Sequence, residues 1–238
     1  YFIEPGVATR PAEDTLLERR DDIADWGARP CWQKRYAEAD TEATGPQTWL
    51  VFADAAGLAE AAMASLRAEG HRVLQVTAGD SFADMGGGHY PRAPEQGRQG
   101  YDQLIAALSE AGDMPTRIAH FWLADDETPP RPGSSRFDRN VEQGFWSLTW
   151  LAQALAEAEF DPPLHLSVFT TGAAQVAQEA LPFPEQALIS GPLGVLPRDV
   201  TGVTAAQLAL QVLPTAAPRG RVAHHPQPPS ATTTREPD

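Results

Sequence analysis

Residues 117–155 constrain this chain more than any other stretch. Residues 118–124 form a short apolar run bounded by Pro115 and by Asp125-Asp126, the pattern of a strand covered on both faces. After a Pro/Gly/Ser connector, Phe137, Val141, Phe145, Leu148, Leu151 and Leu155 recur at steps of three and four. That spacing predicts one long helix with these side chains on a single face. A covered strand followed by an amphipathic helix is half of a parallel β-α-β unit, which is stable only within a larger sheet.

The flanking sequence supplies more of the same unit. Residues 48–53, T-W-L-V-F-A, read as a strand. Asp54 is placed to cap a following helix that runs to about Glu69, with Leu58, Ala61, Ala62, Ser65 and Leu66 expected inward and Gly70 as its terminator. Residues 71–77 give a second strand. Residues 79–97 read as a Gly/Pro-rich loop with a short strand or turn near His89-Tyr90. Residues 99–111 give a helix with Leu104, Ile105 and Leu108 on one face, and 164–170 another strand. A short helix over 173–179, a helical segment over 184–192 and a short apolar strand over 193–196 complete the reading. The alternation predicts an α/β fold, a truncated Rossmann-like parallel sheet with helices on both faces.

Three regions are expected: a linker over 1–46, with helical turns near 12–23 and an edge strand at 29–36; a Rossmann-like subdomain over 47–202; and a tail over 203–238. In the tail Pro, Ala, Thr and Arg dominate and apolar periodicity ends by Val212, so it is expected to be disordered or aberrant. The abruptness of the change is what a reading-frame shift or a truncation produces. The absence of an initiator Met leads us to expect a piece of something longer.

Charge and cysteine content exclude several functions. With 32 acidic against 18 basic residues the net charge is −14, which repels phosphate and argues against nucleic acid or an anionic membrane as partner. Cys31 is the only cysteine, so no disulfide forms within the chain and a reducing compartment fits. No apolar run approaches the ~20 residues of a membrane span, and the first residues lack the basic start and apolar core of a signal peptide. A cytoplasmic location is expected.

Dinucleotide binding by such a sheet needs glycines in the first strand-to-helix turn, where backbone N–H groups meet the pyrophosphate. Here that turn reads Asp54-Ala55-Ala56-Gly57-Leu58-Ala59. Two of three glycine positions are unfilled, and Asp54 sets a carboxylate where phosphate belongs. Gly86-Gly87-Gly88 follows no strong strand and reads as a loop; Thr170-Thr171-Gly172-Ala173 reads as a tight turn. Short-chain reductases use a Tyr and a Lys four residues later, the Lys lowering the Tyr pKa. Lys34 is the only lysine and position 30 is Pro30, so that pair cannot form. No G-x-S-x-G elbow surrounds any Ser. His71, His89, His120, His165, His224 and His225 show no metal spacing, and Asp125-Asp126-Glu127 reads as a solvated strand end. No catalytic, cofactor-binding or metal-ligating residue is therefore expected. The rival expectation is an independent α/β enzyme, methyltransferase- or hydrolase-like, with its site at the strand ends near Asp54, Thr77 and Thr171.

Several segments in order carry a family resemblance. His120-Phe121-Trp122-Leu123, Phe137-Asp138, Gly144-Phe145-Trp146-Ser147-Leu148 and Leu151-Ala152-Gln153-Ala154-Leu155 resemble the structural half of the ketoreductase domain of type I polyketide synthases. So do residues 168–176 and 187–199. Upstream, Tyr1-Phe2-Ile3-Glu4-Pro5 resembles the end of the linker that follows the acyltransferase, and Asp25-Trp26 with Arg29-Pro30-Cys31-Trp32-Gln33 resembles the entry to the ketoreductase region. The resemblance covers about residues 1–202. It implies a truncated half that binds no cofactor and braces a second, catalytic half holding NADPH and the catalytic Ser, Tyr and Lys or Asn. The implied partners are that catalytic subdomain and neighbouring synthase domains in cis.

Overall fold

The computed structural model describes residues 2–3, 23, 45–124, 132–158, 163–175 and 181–210. The main sheet is built from β2 (Thr48–Ala53), β3 (Arg72–Ala78), β4 (His89–Arg92), β5 (Arg117–Leu123), β6 (Leu164–Thr170) and β7 (Val203–Ala209), all parallel. A two-residue strand, β1 (Phe2–Ile3), pairs antiparallel with β7. The spatial order is β1-β7-β6-β5-β2-β3-β4. From β2 the chain moves outward through β3 and β4, then crosses back to β5 and moves outward the other way. This is the doubly wound order, with its reversal between β2 and β5.

Burial follows the sequence pattern. In β5 every residue from Ile118 to Leu123 is buried, and in β2 Leu50 to Ala53 are. The helices are α1 (Leu58–Ala68), α2 (Gln99–Glu110), α3 (Arg136–Val141), α4 (Ser147–Glu157) and α5 (Ser190–Asp199). Ala59 and Met63 of α1 pack with Val51, Ala119 and Phe121 on one face. Leu104, Leu108, Leu148, Leu151, Leu155 and Leu193, from α2, α4 and α5, pack on the other with Leu50, Phe52 and Ile118. Among the described residues, no helix is long and apolar enough to cross a membrane.

Four expectations need correction. The helix expected over 137–155 is interrupted by a π turn at Glu142–Trp146, where the Ser147 N–H reaches back to the Glu142 carbonyl. The extra residue rotates the preceding turn, so Leu148, Leu151 and Leu155 face the core while Phe137 is 57% exposed. In α1 the buried residues are Ala59 and Met63; of those expected inward, Leu58, Ala61 and Ser65 are exposed and Ala62 and Leu66 half-buried. The segment 193–196, expected as a strand, lies inside α5. Lastly, the tail does not begin at 203: Val203–Ala209 is β7, paired with β6 along its whole length, with Val203, Ala206 and Ala209 buried. Small and polar residues give V-T-A-A-Q-L-A little strand signal of its own; pairing supplies it. The short strand expected near His89 is present as β4. The edge strand at 29–36, the helix near 12–23 apart from Ile23, and the tail beyond 210 lie outside the described residues.

Candidate functional site

A doubly wound sheet binds ligands outside the carboxyl ends of its strands, beside the reversal of strand order. At the end of β2 the Asp54 carboxylate accepts from the Leu58 N–H (3.0 Å) and the Ala59 N–H (2.7 Å). These are the donors a pyrophosphate uses at this turn. Asp54 thus acts as the expected cap, and its charge occupies the anion position. The residues of this turn do not fit a dinucleotide phosphate.

The ends of β5 and β6 are closed in a similar way. The Gln186 side chain, 1% exposed, accepts from the Gly172 N–H through Oε1 (2.8 Å) and donates from Nε2 to the Leu123 carbonyl (3.2 Å). Thr171 donates to the same carbonyl from its N–H (3.2 Å) and its hydroxyl (3.3 Å). Phe183 covers this turn so closely that a Cβ on Gly172 would lie 2.8 Å from its ring and its Cβ. Behind it, a Cβ on Gly144 would lie 2.7 Å from Leu123 Cδ1. The tight turn expected at 170–173 is present, and what approaches its glycine is the chain itself.

Beneath the edge sits a buried polar cluster. His120 is fully buried, its Nε2 3.0 Å from Ser147 Oγ of α4, and its ring stacks on Phe52 at 4.8 Å. Its Nδ1 has no partner in another residue. Burial, and then repulsion by the Arg92 guanidinium, lowers the His120 pKa to about 3. Arg92, also fully buried, lies 3.2 Å above the Tyr101 ring. Burial pushes the Tyr101 phenol up to about 12. His120 and Tyr101 are neutral at pH 7, and with Arg92 and Ser147 they are fully buried.

The other expected positions are internally bonded. Thr77 Oγ1 pairs with His89 Nε2 at 3.0 Å. His71 Nδ1 accepts from the Gln47 N–H at 3.0 Å, and His165 Nδ1 lies 2.7 Å from Thr204 Oγ1, its pKa lowered by burial and then by Arg117. The glycine run leads into β4, where the Gly88 carbonyl accepts from Gln75 N–H at 2.7 Å. Asp54, Thr77 and Thr171 do stand at strand ends, but none points a free group outward together with the others. Cys31, Lys34 and Asp125-Asp126-Glu127 lie outside the described residues. Sequence reading missed Gln186, Phe183, Arg92 and Tyr101; their roles come from contacts distant in sequence, for which no local signal exists.

Strand order and helix placement define the class: a doubly wound, Rossmann-like α/β fold. The chain belongs to the family described as beta-ketoacyl synthase-like, N-terminal, whose model matches residues 47–181, more than half of its length. Among solved structures it is similar to a keto acid-selecting NRPS module with adenylation, ketoreductase and pseudo Asub domains, at 18% identity and a TM-score of 0.67. That match covers 79% of this chain and 15% of that one, so this chain spans a small part of it. It is also similar to an N-terminal ketoreductase from the macrolactin assembly line (18% identity, TM-score 0.44, covering 55% of this chain and 26% of that one). A short-chain dehydrogenase/reductase from Burkholderia vietnamiensis gives 16% identity and a TM-score of 0.47, covering 72% of this chain and 87% of that one. The last two likenesses are too loose to argue from. No curated protein matches. The family model covers most of the sheet and most of its helices, and the likeness to the NRPS module shows the same Rossmann-like fold.

Proposed function

We propose that this chain is the non-catalytic structural subdomain of a polyketide synthase ketoreductase region, and that it braces an NADPH-dependent catalytic half. The observation that carries this reading is the closed strand edge. Asp54 occupies the anion position, and Gln186 and Phe183 occupy the turn after β6. A fold that binds cofactors at this edge has filled it with its own side chains.

A second observation supports the partner half of the reading. Along α4 and α5 lies a groove of about 350 Å³ whose surface is mostly apolar, from Phe145, Ala152, Ala156, Val195 and Leu196, with Thr149, Gln153 and Asp199 also lining it. Val195 is 48% exposed and the neighbouring Trp146 42%. In a chain of net charge −14, a mostly apolar exposed groove with Asp199 as its one acidic residue fits burial against another protein surface. NADP, the other synthase domains and a cytoplasmic setting belong to this proposal. An independent enzyme needs polar groups free to converge at the strand ends, and Asp54, Thr77 and Thr171 are each committed elsewhere.

Calorimetric titration with NADPH tests the reading. No binding is expected; a Kd tighter than about 100 μM, some 5.5 kcal/mol of recognition, contradicts it.

A further inference from the structure

The closure of the turn after β6 has a specific chemistry. Gln186 enters it with a carboxamide, and both ends of that carboxamide are used: the oxygen takes the Gly172 N–H and the nitrogen gives to the Leu123 carbonyl. The two backbone groups come from adjacent strands, one just after β6 and one at the end of β5, so they present a donor and an acceptor side by side. That pairing fixes which end of the amide is oxygen, since a flipped group would face N–H to N–H. The side chain is 1% exposed and lies on a glycine that admits no Cβ. Phe183 packs against the same glycine. A charged carboxylate in the same place would lose the bond to Leu123, and a hydrocarbon would leave the Gly172 N–H unpaired in the interior.

We propose that the ends of β5 and β6 form a binding site for a primary carboxamide, and that Gln186 is its ligand in cis. The inference rests on the reading above, because it says how the edge is closed. The site takes the class R–CO–NH2: one hydrogen-bond acceptor and one N–H donor, planar, with a small apolar stem. Gln186 blocks it from any external amide.

Truncating Gln186→Ala removes the atoms of CH2–CO–NH2, so the missing piece is acetamide itself. Thermal unfolding of wild type and Gln186→Ala is measured with acetamide and with N,N-dimethylacetamide, which has no N–H. Acetamide is expected to raise the variant's Tm beyond any shift in wild type and to restore hydrogen-exchange protection of the Gly172 amide, which the variant loses by about tenfold or more. Dimethylacetamide is expected to do neither. Equal shifts in both proteins, or equal rescue by both amides, overturn the proposal. If Gln186→Ala does not fold unaided, refolding yields with and without acetamide are compared, and equal yields overturn it too. Gln186→Met keeps the volume without the bonds; it is expected to lose Gly172 protection and to ignore acetamide, and a response there counts against the site. NADPH binding to wild type sinks the functional reading and leaves this result standing. Absent rescue, with no NADPH binding, sinks this inference alone.

Discussion

Acid should loosen this protein in part through a buried histidine, His120. Its ordinary pKa is 6.5, and burial followed by the Arg92 charge lowers it to about 3 in the fold. The groups facing it among the described residues are Arg92 from β4, Ser147 from α4 and the rings of Phe52 and Trp122, none of which carries a negative charge to welcome a proton. The sign follows from linkage: the unfolded chain binds the proton first, so stability is complete above about pH 6.5 and falls as pH drops toward 3. Each pH unit within that window is worth about 1.4 kcal/mol. From pH 7 to pH 4 the loss from this residue alone is about 3 kcal/mol, a large share of the 5–15 kcal/mol typical of a domain. Carboxylates also titrate over this range, so the comparison is made against His120→Phe, which keeps a ring on Phe52 and has no proton to take. Urea unfolding followed by tryptophan fluorescence at pH 7, 5 and 4 gives the difference between the two proteins. That difference should move in favour of His120→Phe by about 3 kcal/mol as pH falls to 4. A difference constant to within about 0.5 kcal/mol, below the per-unit value, refutes the reasoning.

Other outcomes follow from the packing. Gly144→Ala places a methyl 2.7 Å from Leu123 Cδ1 and 3.2 Å from Ile189 Cγ2, and should cost about 1–3 kcal/mol in chemical denaturation. Asp54→Ala removes the cap on α1 and should cost about 1 kcal/mol by the same measurement. Val195→Arg, in the exposed groove, should change stability by less than about 0.5 kcal/mol yet abolish co-purification with a catalytic ketoreductase half; unchanged co-purification removes the groove from the interface.

The elements that the sequence made legible are those whose burial is written locally. T-W-L-V-F-A and R-I-A-H-F-W-L are continuous apolar runs, and both are central strands. The missing glycine cradle was equally local, and Asp54 proved to cap α1. What stayed hidden depends on distant partners. β7 is a strand because β6 lies beside it. The face of the helix after β5 shifts because a π turn lets Gly144 pass Leu123. Gln186 closes the edge through Leu123, 63 residues away in sequence. Side-chain periodicity carries no record of such contacts.

Under the proposed function, this chain supports a catalytic neighbour and does no chemistry itself. Reconstitution measures it most directly. A catalytic ketoreductase half from a type I polyketide synthase is assayed for NADPH-dependent reduction alone and after mixing with this chain. The account predicts that mixing raises both activity and the cooperativity of unfolding, while this chain alone oxidises no NADPH. A catalytic half equally active and equally stable without it, or turnover by this chain alone, contradicts the account.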